Sequence, residues 1–340
     1  MKNSIFLYIK KVSVIFIIIS VIILIPTVTL LINIPFDEAL NPKSIDSIET
    51  INDEYKKGEL YVNTRVDAKY TGYDYVKRGI VCGSYYYYLK DNKCTFILVQ
   101  RDPLKKLPGE LKSYEISGKI SKIDDYDIKM MKGVAKDLDW DYNSLLKISS
   151  PVILNQMDYQ PEVYLYLLVV LGLLAAMSGS VFIIHTIYFF LPALNPNMLT
   201  LYRLVGRNGT KIIETVNDEL ENDVVLQCGN ITFTRNFIVA KQFPAIEVVP
   251  ISKIIWIYER EALRKIRFQK KHRHMIYSLH IYCKNGIYIF SPKNLRKDVE
   301  MAEDYVSEHF PGIIVGYSKV NKKNAKRRIE REESGRKQNK

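Results

Sequence analysis

Apolar residues along the 340-residue chain concentrate in two blocks, residues 12–32 and 163–191, and neither block contains an Asp, Glu, Lys or Arg. At about 1.5 Å per helical residue the first reaches about 31 Å, the thickness of a hydrocarbon core. The second is long enough to span with tilt. A soluble core helix would not stay apolar on every side over such lengths, so each block predicts a transmembrane helix. A cleaved signal peptide is the rival reading of the first block, because Lys2, Lys10 and Lys11 precede it. Its apolar stretch exceeds the about 7 to 15 residues of such signals, and its exit lacks a small-residue cleavage site, which favours an uncleaved anchor.

Between the blocks the pattern changes to foldable polar protein. Ile45, Ile48, Ile51 and Tyr55 share one face of a predicted helix over residues 43–57. Residues 60–66, 79–89 and 95–100 read as strands, with Asp91-Asn92 as a turn and the run Tyr85-Tyr86-Tyr87-Tyr88 placing tyrosines on both sheet faces. A further strand over 111–123 carries Gly118, which suggests a bulge or bend. Ile128, Met131, Val134, Ala135 and Leu138 predict a helix over 125–139. After Pro192 and Pro196, short helices are expected over 199–207 and 210–221. Strands follow at 224–227, 231–233, 237–240, 246–249, 254–258, 276–282 and 287–290, then a helix bearing Leu295, Val299, Ala302 and Val306 on one face. The expected fold class is α+β: two transmembrane helices, a mixed α/β domain over 34–161, and an antiparallel-β domain with a C-terminal helix over 199–318. Residues 319–340 read as a basic, disordered tail.

Charge adds direction. The net +12 divides into +3 for residues 1–11, −1 for 34–161 and +11 for 192–340. Lys2, Lys10 and Lys11 before the first block, and Arg203, Arg207 and Lys211 after the second, place both termini in the cytoplasm and residues 34–161 outside. Tyr159, Tyr164 and Tyr166 then mark the outer membrane interface, and Tyr188, Phe189 and Phe190 the inner one. Gly172, Ala176 and Ser180 recur every fourth residue, a small face suited to packing against the first helix or a second copy. His185, an ionisable ring within the second block, is placed near enough to the inner end to reach the interface.

Candidate chemistry is sparse. Cys82 and Cys94 lie on the oxidising side, where a disulfide is one reading; a turn centred on Asp91-Asn92 would instead set Cys94 opposite Leu89, seven residues from Cys82, which disfavours the bond. Asp124, Asp125, Asp127, Asp137, Asp139 and Asp141 lack the glycine turn of a calcium loop and read as helix ends. Arg260, Arg264, Lys265, Arg267, Lys270, Lys271 and Arg273 fall between two predicted strands, on the side of anionic headgroups; they are lipid-binding candidates, with a solvated basic loop as the alternative. A nucleic-acid partner would use the same charge, but no reading motif accompanies it. His272, His274, His280 and Cys283 sit among cations that disfavour a divalent metal. No HExxH, GxSxG, CxxC, Walker A or GxGxxG occurs, and no cofactor is implied.

The stretches Ile231-Thr232-Phe233-Thr234-Arg235-Asn236-Phe237-Ile238-Val239, Val249-Pro250-Ile251-Ser252-Lys253-Ile254-Ile255-Trp256-Ile257-Tyr258 and Ile314-Val315-Gly316-Tyr317-Ser318 resemble an uncharacterised family of Gram-positive bacterial membrane proteins with this two-helix layout. The resemblance implies architecture, with a pleckstrin-homology-like C-terminal domain, and no catalytic residues. The expected function is a non-enzymatic membrane protein that senses a ligand or partner in the cell envelope, or scaffolds there, through protein contacts or self-association. The alternative is an envelope enzyme, or an enzyme's accessory, acting on wall or lipid substrate.

Overall fold

The computed structural model describes residues 4–101, 108–206, 209–265 and 273–338, and forms two compact units, one of residues 24–176 and one of residues 1–23 with 177–340. The chain opens with α1 (Ile5–Asn33), whose most apolar 18 residues have a mean hydropathy of 3.0.

The unit of residues 24–176 is a small closed barrel. After α2 (Phe36–Leu40) come β1 (Lys43–Ser44) and α3 (Ile51–Lys56), then the strands β2 (Tyr61–Lys77), β3 (Ile80–Lys90), β4 (Lys93–Gln100) and β5 (Glu110–Lys122). Helices α4 (Asp125–Asp137) and α5 (Tyr142–Ile148) lead to β6 (Val152–Asn155). The strands pair β2-β3-β4-β6-β5, and β5 closes back onto β2; β4 and β6 are parallel, and β1 adds parallel to β2. Because side chains alternate across a strand, Tyr86 and Tyr88 point into the barrel with Ile97 and Val99, while Tyr85 and Tyr87 point outward beneath Met130, Met131 and Val134 of α4. Ile45, Ile48 and Ile51 belong to the barrel core. They come from the residue after β1, a 3-10 turn at Ile48–Thr50 and α3, a broken path where the spacing predicted one helix. The irregularity expected at Gly118 lies instead between Val66 and Ala68 of β2. Gly118 serves close approach: a Cβ there would stand 2.7 Å from Cδ1 of Leu154.

The second long helix is α6 (Pro161–Phe190), whose most apolar 18 residues have a mean hydropathy of 2.6. Both helices are long and apolar enough to cross a membrane, and only 11% of each apolar window is buried, whereas the core helix of a soluble domain is mostly covered. Covered positions recur every seven residues on each helix: the small polar Ser13, Ser20 and Thr27 on α1, and the apolar Leu171, the small polar Ser178 and the half-buried His185 on α6. That spacing is the seam of a left-handed helix pair. Ala176 and Ser180 are exposed, and a Cβ at Gly172 would meet nothing within 4 Å. The four-residue stripe is therefore not the face buried within this chain.

In the other unit α6 gives way to α7 (Pro196–Val205) and α8 (Gly209–Asn222). An antiparallel sheet follows, β7 (Val224–Cys228), β8 (Ile231–Thr234), β9 (Phe237–Gln242) and β10 (Ala245–Pro250), paired in sequence order. A second sheet contains β11 (Ile254–Lys265), β12 (Arg273–Cys283) and β13 (Tyr288–Asn294). Helix α9 (Arg296–His309) precedes β14 (Ile314–Val315), which joins β11 in parallel. Phe233 and Ile238 of the first sheet, Leu279 and Ile281 of the second, and Val299, Ala302 and Val306 of α9 form one core. Ile5 and Ile9 of α1 are buried in another, with Met198, Leu201, Val216 and Val239, and Asn217 Oδ1 accepts the Ile5 N–H at 3.0 Å. The start of α1 is thus part of this unit. Residues expected as a disordered tail form α10 (Lys319–Gln338). Ser318 Oγ accepts the Asn321 N–H, and Ala325 is buried against Ile255, Trp256 and Tyr258.

Candidate anion-binding cleft

The C-terminal unit holds a cleft of about 950 Å³. One wall is the β8–β9 turn, Arg235 and Asn236, and it is fixed from α8. Glu219 is buried; its Oε2 accepts from Thr234 Oγ1 at 2.6 Å and from the Asn236 N–H at 3.0 Å, and its Oε1 from Asn236 Nδ2 at 2.7 Å. Burial alone would raise the Glu219 pKa, but the hydrogen bonds from Thr234 and Asn236 outweigh it and hold the carboxyl below its ordinary value. Asn236 O also accepts the Ile251 N–H at 2.9 Å, joining this turn to the 3-10 segment Ile251–Lys253. The remaining walls are Lys284, the Phe310–Ile313 connection and the outer half of α10. That helix is held there by Arg328 Nη1 donating to Gly312 O at 2.8 Å and by a 3.5 Å ion pair between Lys284 and Glu332.

Arg235, Lys253, Lys284, Arg328 and Arg331 line the cleft, against a single carboxylate, Glu332. Among the described residues Arg235, Lys253 and Arg331 have no carboxylate within ion-pair distance. Beneath them lie Ile212, Phe237, Ile251, Ile254, Phe310 and Ile313. Cations that repel one another above an apolar floor bind an anion by relieving that repulsion, and guanidinium groups match phosphate oxygens two at a time. Sequence reading missed the site because Arg235, Lys253 and Lys284 lie 18 and 31 residues apart and Lys284 lies 44 residues before Arg328, which with Arg331 was read as part of the basic tail.

The lipid-binding candidates between the two predicted strands fall elsewhere. Arg260, Arg264, Lys265 and Arg273 lie on the β11–β12 hairpin and not in a loop, with Arg264 opposite His274 and Lys265 opposite Arg273; Arg267, Lys270 and Lys271 lie outside the described residues. Arg260 borders a 520 Å³ aromatic hollow with Trp256, Tyr258, Tyr282 and Tyr317. Trp256 stacks on Tyr258 with centroids 4.2 Å apart, and its Nε1 donates to Gly316 O at 3.0 Å.

Next to this hollow, Ser278 Oγ and His280 Nε2 are 2.8 Å apart, and Tyr288 hydroxyl bonds His280 Nδ1. Burial, aided by the Arg260 charge, pushes the His280 pKa down to about 4, so the ring is neutral at pH 7. Arg260 O, 3.0 Å from Ser278 Oγ, is a second acceptor for the serine proton, and the tautomer of His280 sets which of the two receives it. His272 lies outside the described residues, and among those described no three His, Cys, Asp or Glu side chains gather as metal ligands.

In the barrel unit, Leu89 pairs with Cys94 across the hairpin, Cys94 is buried and Cys82 is half-buried. Asp124 and Asp127 cap α4 reciprocally, Asp137 accepts from Tyr73 hydroxyl at 2.7 Å, and Asp141 caps α5 through the Ser144 N–H. These carboxylates act as helix-end partners. His185 stacks on Phe16 with centroids 4.4 Å apart and meets Tyr188 edge-on. No protein family, curated protein or solved structure matches the chain.

Proposed function

We propose that the chain is a non-enzymatic integral membrane protein with two spans, both termini in the cytoplasm and residues 34–161 outside, which holds a phosphate-bearing anion in its C-terminal cleft and senses or scaffolds at the cell envelope. The single observation that carries the binding role is the convergence of five cations, of which Lys253 and Arg331 have no carboxylate partner among the described residues, on a cleft with apolar lining. The spans are supported by two helices of 29 and 30 residues whose apolar surfaces are left uncovered. The orientation is supported by the flanking lysines and arginines. Two four-stranded sheets with α9 against their shared core support the pleckstrin-homology-like reading of residues 199–318, and with it the resemblance to the two-helix family.

A free anion and a lipid headgroup share this chemistry. Asn236 at the cleft is bonded to Glu219 of α8, two residues from the Asn217 that caps Ile5, so the cleft lies level with the start of α1, before Lys10 and Lys11. That level favours a free anion.

Calorimetric titration of the full-length protein in neutral-lipid nanodiscs with inorganic pyrophosphate tests the proposal. Binding is expected at low salt, weakening as salt rises, with Lys253→Glu and Arg331→Glu each losing about tenfold in affinity. No binding, or equal affinity in both variants, overturns it; release of orthophosphate from the probe favours the enzyme reading. Competition by anionic-lipid nanodiscs would assign the site to a headgroup.

A further inference from the structure

Phe243 and Pro244 form the two-residue turn between β9 and β10, where Gln242 pairs with Ala245. Phe243 is 54% exposed, a large aromatic ring at the very tip of a hairpin. Its covered side faces α1: the rings of Phe243 and Phe16 are parallel to within 4°, with centroids 5.8 Å apart. Phe16 stands five residues beyond Lys11, the last charge before the apolar block, hence about 7.5 Å further along the helix. The hairpin runs alongside α1 to reach that level. At its start the Asn236 turn is tied through α8 to Ile5; at its end Phe243 lies on Phe16. Six strand residues cover about 20 Å and the eleven helical residues from Ile5 to Phe16 about 16 Å, so the two paths match.

We infer that, on the reading in which α1 crosses a bilayer, the exposed Phe243–Pro244 tip stacked on Phe16 is inserted among phospholipids at the boundary of headgroups and acyl chains. The C-terminal unit is then seated on the membrane as well as tethered to it. An aromatic side chain is favoured at that depth. Pro244 brings no N–H to desolvate, which lowers the cost of placing a turn there. Lys10, 5.8 Å from the centroid of the Phe189 ring, puts a cation beside an interfacial aromatic one and a half turns below Phe16.

The test places the photoreactive residue p-benzoylphenylalanine at position 243 of the full-length protein, and separately at Ile22 of α1, which is 65% exposed. Each is reconstituted in vesicles of phosphatidylcholine and phosphatidylglycerol, irradiated and analysed by mass spectrometry for lipid adducts. Adducts are expected at both positions. An adduct at position 22 without one at 243 overturns the inserted tip and leaves the span standing. Adducts at neither overturn both, and an adduct at 243 alone supports lipid contact while refuting the span.

Discussion

Asp127 stands at the third position of α4, where its Oδ2 accepts the Asp124 N–H at 2.9 Å and its Oδ1 accepts from Tyr85 hydroxyl at 2.9 Å. Burial dominates these bonds and raises its pKa from 3.8 to about 6. A carboxyl whose folded pKa lies above its unfolded value stabilises the fold fully below the unfolded value, and that contribution is lost as pH rises through the folded one. The barrel unit should therefore lose stability between pH 4 and pH 7 from this group, on the order of 1 kcal/mol once solvent screening is allowed for. Hydrogen exchange of the α4 amides, corrected for intrinsic rates, should show protection falling across that window in the native protein and a flatter profile in Asp127→Asn. Equal slopes in both would assign the dependence elsewhere. The capping role of this aspartate was legible from its place at a helix start, while its burial under Tyr85 was not, since only the folded barrel brings β3 onto α4.

At the scale of elements, strands declared themselves by alternation. The Asp91-Asn92 turn fixed Leu89 opposite Cys94, and the four tyrosines divided between two faces. Helix α10 was harder to read, because its apolar positions are few: Val320, Ala325 and Ile329 in twenty residues dominated by Lys, Arg and Glu. Its order comes from tertiary contact, with Ala325 only 1% exposed over the aromatic face of β11. The seam of the long helices was likewise hidden, since serines at a seven-residue spacing stand out less than a glycine-alanine-serine stripe at four. Because α10 carries Arg328 and Arg331 into the cleft, docking and anion binding are linked. Ala325→Asp places a carboxylate where burial costs several kcal/mol, so the helix should detach. Trypsin should then cut within residues 319–338 many times faster, and pyrophosphate affinity should fall by about tenfold. Retained affinity with a freed helix would remove Arg328 and Arg331 from the site.

For the whole molecule, orientation rests on the charges flanking two uncharged stretches, and the cysteines provide a native probe of it. Cys94, Cys228 and Cys283 are buried, and desolvation raises the pKa of each, which suppresses the reactive thiolate. Cys82 is the partly accessible one, on the outward-assigned segment 34–161. A membrane-impermeant maleimide added to intact, mildly reduced cells should modify the protein at Cys82, and Cys82→Ser should abolish the modification. Lys323→Cys in the Cys82→Ser background places a thiol on the exposed side of α10, which should react only after the membrane is opened. The reverse pattern, with position 323 labelled in intact cells and Cys82 protected, would turn the assignment inside out. It would also move the cationic cleft and the Phe243 tip to the outer leaflet. Labelling of both thiols before permeabilisation would require the polar termini to share a side with residues 34–161, which two crossings do not allow.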